Sequence, residues 1–425
     1  MIIPSIDLRG GRAVQLRRGR EFLFDGGDPL DRLAEFALAG EVAVVDLDAA
    51  LGTGSNRDLI REMVRRSPCR VGGGIRSVEQ ALDWLDAGAT RVVVGTAARP
   101  EFCRQLPRER VIAAIDAERG RVVVDGWRTA TDRGPLEAIR ALGPFVGGFL
   151  FTQVEHEGGL AGFDSSAVAA VAAAAEAFAA RVTAAGGIST ANEVAALDAL
   201  GVDAQVGVAL YRDVLPLADA VSAPLTGEGP WPTVVCDEAG RALGLVWSTR
   251  ESISLALRER RGIYWSRSRR SLWRKGETSG AVQELMRVDL DCDRDALRFV
   301  VRQSGSGFCH RGTRACWDGG FGLDSVERLI QRRLADPAAQ DAARSGTRKL
   351  AEDPALLRSK LIEEAGELAR AQEPHHLAEE AADLFYRALV ALNAGGADLR
   401  AVEATLELRS RRVRRRAMIA KAEEA

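Results

Sequence analysis

Gly72-Gly73-Gly74-Ile75 recurs 113 residues downstream as Ala185-Gly186-Gly187-Ile188, and this repeat decides the fold of the first half of the chain. Val94-Gly95 recurs as Val206-Gly207 at a shift of 112, and Asp7 has a counterpart in Asp116 at a shift of 109. Outward from these points, short apolar runs at 41–46, 91–94, 111–115 and 148–151 alternate with amphipathic stretches at 29–39 and 78–87. Such alternation marks a parallel α/β fold. A period near half the region's length, each unit supplying about four strand–helix pairs, predicts a (β/α)8 TIM barrel built from two half-barrels. It is expected over residues 1–225.

Residues 224–232 (PLTGEGPWP) form a Pro/Gly-rich linker. Beyond it a small α+β domain is expected over 231–335, with hairpin strands such as residues 233–236 turning through Glu238-Ala239-Gly240. A second break, rich in Ala, Asp, Gly and Ser, spans 335–349. Asp353-Pro354 then offers an N-cap with proline at the first helical position. The region 340–425 therefore reads as all-α, with helices of 355–371, 376–394 and 398–421.

Lys and Arg total 58 against 60 Asp and Glu, so no global field marks a nucleic-acid or membrane partner. No run approaches the roughly 20 apolar residues of a membrane span. The opening Met1-Ile2-Ile3-Pro4-Ser5-Ile6-Asp7 reads as a strand and not as a signal peptide. Six cysteines in a chain this long do not make a disulfide framework. Thiols kept as metal ligands need a reducing compartment, so a cytoplasmic protein is expected.

Glycine-rich turns after barrel strands let backbone N–H groups approach phosphate closely. Gly73-Gly74 with Gly95-Thr96, and Gly186-Gly187 with Gly207, make two such sets, suited to a substrate phosphorylated at both ends. Asp7 and Asp116, at the ends of the first strands of the two halves, would face each other across the mouth as an acid/base pair; otherwise both merely cap loops.

In the middle region Cys292, Cys309 and Cys316 accompany the acidic run Asp291, Asp293 and Asp295. Thiolates select zinc and carboxylates magnesium. If the run is extended, the carboxylates face one side and Cys292 the other. The cysteine intervals of 17 and 7 residues match no common finger, so a closed structural zinc site or buried free thiols fit as well. In the third region Glu363 or Glu364 with Glu367, and Glu380 with Asp383, fall three to four residues apart. Each set shares a helix face, and two facing helices would make an oxygen cage for Mg2+; isolated, such acids are a solvated face. The run RSRRVRRR at 409–416 hints at nucleic acid, but reads better as a solvated or phosphate-facing helix end.

Three resemblances extend these readings. YWSRSR (264–269), LWRKGETSG (272–280), DCDRD (291–295), Cys309-His310 and Cys316 occur in the order of the phosphoribosyl-AMP cyclohydrolase family. The resemblance implies hydrolytic opening of the adenine ring of phosphoribosyl-AMP, with Cys292, Cys309 and Cys316 as Zn2+ ligands. It also implies Asp291, Asp293 and Asp295 as Mg2+ ligands, His310 as proton shuttle, and Arg267, Arg269, Lys275 and Ser279 as phosphate contacts. Members of that family are homodimers with sites at the interface, so a homodimer through this domain is expected. The upstream Leu245-Val246-Trp247-Ser248-Thr249 departs from the family's usual text.

EExxE followed by ExxD resembles phosphoribosyl-ATP pyrophosphohydrolase and its all-α relatives, with Ser345-Gly346-Thr347 where that family has Ser-Tyr-Thr. PSIDLRGGRAVQL, VDLD, GGGIRSVEQAL, Gly126-Trp127, Thr152, AGGIS and VGVALY resemble the histidine-pathway isomerase that converts ProFAR to PRFAR. By position that implies Asp7 as general base and Asp116 as general acid, with Thr152 assisting. Glu157-Gly158-Gly159 stands where the isomerase family has Asp-Gly-Thr, Gln153 replaces an acid and Val208 a common basic residue. These changes are expected to weaken phosphate and loop contacts. The chain thus reads as three consecutive enzymes acting on phosphoribosyl nucleotides. The alternative is a bifunctional hydrolase carrying a barrel that binds phosphate without catalysis.

Overall fold

A computed structural model describes residues 1–317, 321–336 and 345–414. The described residues fall into two compact units, one holding 1–317 with 411–414, the other the residues from 321 to 410.

The first unit opens with the expected barrel. Ile2–Arg9, Val42–Asp46, Cys69–Gly72, Arg91–Val94, Val111–Glu118, Gly148–Gln153, Arg181–Ala185 and Val202–Val206 pair in that order, all parallel. The ring closes through Ile2↔Ala204 and Ile3↔Gln205. These strands are short and rich in Val, Ile and Ala because helices cover one face and the barrel interior the other. Every residue of Cys69–Gly72 is buried.

The internal repeat is physical as well as textual. The first strand of each half continues into an antiparallel hairpin: Ile2–Arg9 with Arg12–Arg17, and Val111–Glu118 with Arg121–Val124. The helices following the two glycine turns each start with a capping box, Ser77 with Gln80 and Thr190 with Glu193. At the opposite end of the barrel Arg70 is buried, bonded to Glu41 at 3.0 Å and to Thr183 Oγ1 at 2.9 Å.

The linker leads directly into a second, six-stranded sheet. Its spatial order is Ser271–Arg274, Ile263–Ser266, Ala242–Ser248, Trp231–Cys236, Leu297–Gln303, Gln283–Leu290, antiparallel except where Trp231–Cys236 meets Leu297–Gln303. The helix Arg250–Glu259, capped by Thr249 and Ser252, packs on it. One continuous core runs from Val221 and Leu225 of the barrel through Trp231 to Ile253 and Phe299. Trp231 Nε1 donates to Thr226 O at 2.5 Å, and Arg250 donates to Ser222 O at 2.9 Å.

The second unit is all-α: Leu323–Ala335, Gly346–Glu352, Pro354–Arg370, Pro374–Ala394 and Leu399–Ser410. Its small core gathers Ile330, Leu357, Leu389, Val390 and Leu399. Glu327 ties it internally by accepting from Leu399 N at 2.7 Å and Asn393 Nδ2 at 3.2 Å. Leu323–Ala335 thus packs with these helices, although the sequence division set it before the second break.

One expectation is corrected. The last helix ends at Ser410, and Arg414 beyond it is held by protein carboxylates and not by solvent alone. Arg414 reaches Asp83 and Asp86 of the barrel helix Val78–Ala87 at 2.5 Å each, because acids on that helix offer a closer counter-charge than solvent. The expected extension to 421, with Arg415 and Arg416, lies outside the described residues. No described helix is long and apolar enough to cross a membrane.

Candidate active sites

At the C-terminal mouth of the barrel a cavity of about 420 Å³ gathers what the sequence predicted, together with one group it did not. Asp7, Asp116 and Thr152 line it, as do Gly73, Gly74, Gly95, Thr96, Gly186, Gly187 and Gly207. Asp116 and Thr152 are direct neighbours across adjacent strands. The glycines are required by close approach. A Cβ on Gly73 (φ +93°) would sit 2.3 Å from Asp46 O, and one on Gly187 (φ +80°) 2.0 Å from Gly162 O. Thr96 Oγ1 accepts from Asp125 N at 2.9 Å and so fixes the loop that carries Trp127 over the mouth. Arg20, in the turn between Arg12–Arg17 and Glu21–Gly27, donates to Trp127 O at 2.8 Å, so the extensions of the two halves' first strands meet there.

Electrostatically the cavity suits proton transfer. Burial pushes Asp7 up to about 6, partly opposed by the Ser5 hydroxyl at 3.1 Å. Burial raises Asp116 as well, against the opposing Trp127 and Thr152 donors. Glu157 is the missed residue. Its carboxyl lines the same cavity, and burial, with the charges of Asp7 and Asp116, pushes it up to about 8. The available signal was an acid immediately after the sixth strand, at the end of the barrel where such sites form.

The expected loss of loop contacts at Gln153 does not occur. Its Oε1 accepts from Asp164 N at 2.8 Å and its Nε2 donates to Asp164 O at 3.2 Å. In the first half, Asp46 closes the corresponding loop by accepting from Asn56 N at 2.9 Å and Nδ2 at 2.8 Å. An amide therefore performs the loop closure of the replaced acid. Val208 is buried in the short helix after Gly207.

In the second sheet, Asp291, Asp293 and Asp295 occupy the turn between Gln283–Leu290 and Leu297–Gln303, with carboxylate oxygens within 4.8 Å of one another. Charge from Asp293 first, with burial and Asp291, raises the Asp295 carboxyl. An all-oxygen set of this size fits a hard divalent cation. Cys309 lies in a tight turn closed by Cys309 N to Thr313 O at 3.0 Å, and Cys316 N donates to Leu243 O at 2.8 Å. The Arg311 amide and Thr313 hydroxyl lower the Cys309 thiol, whereas burial and Cys309 raise Cys316. Cys292 is exposed on the acidic turn, and the three thiols do not all lie within 4.8 Å of one another in one chain. Two neighbouring thiols suit zinc chemically but leave its coordination incomplete.

His310 is exposed, with Nδ1 3.9 Å from Cys309 Sγ. Lys275 is buried against Phe308, 5.6 Å from its ring centroid, while Arg267 stacks over Trp247 at 4.2 Å. Arg269 and Ser279 are exposed.

In the helical unit Glu364, Glu367 and Glu380 converge within 4.8 Å, a second all-oxygen set that fits a divalent cation. Glu364 is buried and bonded to Arg387 at 3.1 Å, and His376 lies 2.9 Å from Glu380. Glu363 instead points to Lys360 at 2.8 Å, and neither it nor the exposed Asp383 joins the group. Ser345 caps Gly346–Glu352, and Thr347 Oγ1 lies 2.5 Å from Tyr386 OH.

Fold and sites together define a multidomain protein of enzyme type: a barrel with paired carboxyls under a glycine-lined mouth, a small α+β domain, and a carboxylate-bearing helical domain. Residues 1–216 match the family of histidine biosynthesis proteins, 244–318 phosphoribosyl-AMP cyclohydrolase, and 327–410 phosphoribosyl-ATP pyrophosphohydrolase. A histidine biosynthesis trifunctional protein from Kluyveromyces lactis is 47% identical over 192 residues, 44% of this chain and 24% of that protein. A histidine biosynthesis bifunctional protein from Schizosaccharomyces pombe is 44% identical over 190 residues, 44% of each chain. The 1-(5-phosphoribosyl)-5-((5-phosphoribosylamino)methylideneamino)imidazole-4-carboxamide isomerase of Methanocaldococcus jannaschii is 33% identical over 234 residues, 52% of this chain and 98% of that enzyme. The chain spans about a quarter of the trifunctional relative's length. With just over half of its residues matched, and the isomerase covered almost end to end, the chain belongs to the histidine biosynthesis protein family.

Proposed function

We propose that the chain performs three consecutive steps of histidine biosynthesis: hydrolysis of phosphoribosyl-ATP to phosphoribosyl-AMP, opening of its adenine ring to ProFAR, and isomerisation of ProFAR to PRFAR. The observation that carries this reading is the presence of the three matched regions side by side on one chain; the carboxyls and thiols gathered in them support it.

In the barrel, Asp116 gives a proton to the furanose ring oxygen as its bond to C1 breaks and the exocyclic nitrogen's lone pair forms a C1=N iminium; Thr152 beside it holds the substrate, and Asp7 takes the proton from C2, leaving an enol that becomes the ketone. The two glycine sets receive the two phosphates through backbone amides. Glu157 stays protonated beside Asp7 and Asp116 at neutral pH and keeps the cavity from opposing an anionic substrate.

In the middle domain Cys309 and Cys316 would hold zinc, with Cys292 of a second copy as the third thiol, in a homodimer. Zinc, when bound, makes hydroxide available near neutral pH. His310 relays the proton, Asp291, Asp293 and Asp295 would hold Mg2+, and Arg267, Arg269 and Ser279 meet phosphate. In the helical unit Glu364, Glu367 and Glu380 would hold Mg2+, which would supply positive charge to the nucleotide's phosphates. The thiols suit a reducing, cytoplasmic setting.

The test of the barrel's role is Asp116→Asn in the full chain, with an expected loss of roughly 10²–10⁴ in isomerase rate. An unchanged rate would leave the barrel a phosphate-binding module.

A further inference from the structure

The acidic turn of the cyclohydrolase-like domain is gripped by the barrel. Arg294 sits between Asp293 and Asp295 with φ +64°, a backbone conformation that side chains other than glycine rarely hold without support. Its guanidinium makes a two-pronged bond to Asp198, at the end of the barrel helix Ala191–Ala199, with Nε 2.8 Å from Oδ2 and Nη2 2.9 Å from Oδ1. Its third nitrogen donates to Asp291 O. Its own carbonyl accepts from Thr226 N at 2.8 Å and Thr226 Oγ1 at 3.1 Å, just past the barrel.

Within the turn, Asp291 Oδ1 accepts from Asp295 N at 3.1 Å and Ala296 N at 3.2 Å, so the carboxylate directions depend on where Arg294 is held. Three carboxylates this close repel one another, and a hairpin turn alone has little to resist their spreading. The Asp198–Arg294 pair is largely shielded, with side chains 11% and 22% exposed, which favours a charge-assisted fork over a floppy surface contact.

We propose that Asp198 is a positioning residue for the second domain: through Arg294 it fixes the orientation of Asp291, Asp293 and Asp295, so that the barrel completes a cation site it does not itself contain. The proposal rests on the reading of those three aspartates as ligands of a divalent cation. Asp198 lies outside the barrel cavity and takes no part in the isomerase chemistry.

The test uses the full chain with Asp198→Asn, and with Asp203→Asn as a control. Asp203 bonds the Met1 nitrogen and Arg181 in the same cluster without touching Arg294. Amide hydrogen exchange at Asp295 and Ala296, and Mn2+ binding by electron paramagnetic resonance, are read for each in a Glu364→Gln background, which removes the cation site of the helical unit. In Asp198→Asn the exchange accelerates about tenfold and the Mn2+ affinity falls by a similar factor, as losing a charged fork implies. Asp203→Asn matches the parent chain, and isomerase turnover is unchanged in both. Unaltered exchange at Asp295 and Ala296 in Asp198→Asn would overturn the proposal. Faster exchange while no variant binds Mn2+ would uphold the anchor and sink the cation reading of the turn instead.

Discussion

Asp7 and Glu157 differ in what their ionisation does. Asp7 must be ionised to accept a proton, so isomerase kcat/KM is expected to rise as pH passes about 6. Glu157 loses its proton near 8, placing a negative charge opposite an anionic substrate, so KM is expected to climb beyond that pH. Glu157→Gln removes the alkaline rise in KM and keeps the acid limb; a variant profile identical to the parent's contradicts the role. Both folded-state values lie above those of the free groups, so protonation favours the fold. The Glu157 contribution is full below about 4.5 and is lost as pH rises towards 8. Glu157→Gln should therefore raise the barrel's stability at pH 8, by up to roughly 4 kcal/mol, and leave it unchanged near pH 4, read by urea unfolding. At the helical site, Glu364→Gln is expected to lower pyrophosphohydrolase turnover by more than about a hundredfold, whereas Glu363→Gln stays near the parent rate. Equal effects would show that the buried partner of Arg387 is no ligand.

At the scale of elements, Gly187 marks a place where backbone passes backbone. Gly187→Ala would drive a Cβ to within 2.0 Å of Gly162 O at a φ of +80°, and is expected to cost more than about 2 kcal/mol in urea unfolding. A neutral substitution there would mean that the loop after the sixth strand is free to move. Elements of this kind were legible in the sequence, because their demands are local. The glycine turns at positive φ and the acids Asp7 and Asp116 of each half's first strand recur at nearly the same spacing. What was not legible depended on direction. Glu157 and Gln153 follow Thr152 on one short turn, and only its path decides that one faces the cavity and the other a neighbouring loop. The choice between Glu363 and Glu364 depends on which helix face is buried. Cys292 lies near Cys309 in spacing, but its thiol does not join those of Cys309 and Cys316 in one chain. The Asp198–Arg294 bond joins residues 96 apart in different domains and leaves no local signal. The helical unit also leaves its specificity open to measurement: phosphoribosyl-ATP is expected to be turned over in preference to ordinary deoxynucleoside triphosphates, and the opposite order would detach it from this pathway.

At the scale of the whole molecule, the proposed zinc site draws its third thiol from a second copy of the chain. Sedimentation of the full chain is expected to give a dimer, and Cys292→Ser to lower the zinc content and abolish ring opening while isomerase turnover continues. A monomer with full zinc content would contradict the shared site. The central claim, that one chain carries three successive reactions, is tested most directly by giving the purified protein phosphoribosyl-ATP with Mg2+ and Zn2+ and following products by mass spectrometry. The account predicts that phosphoribosyl-AMP and ProFAR appear transiently and PRFAR accumulates. A reaction that halts at ProFAR would contradict it, leaving two hydrolases joined to a barrel that does not turn over.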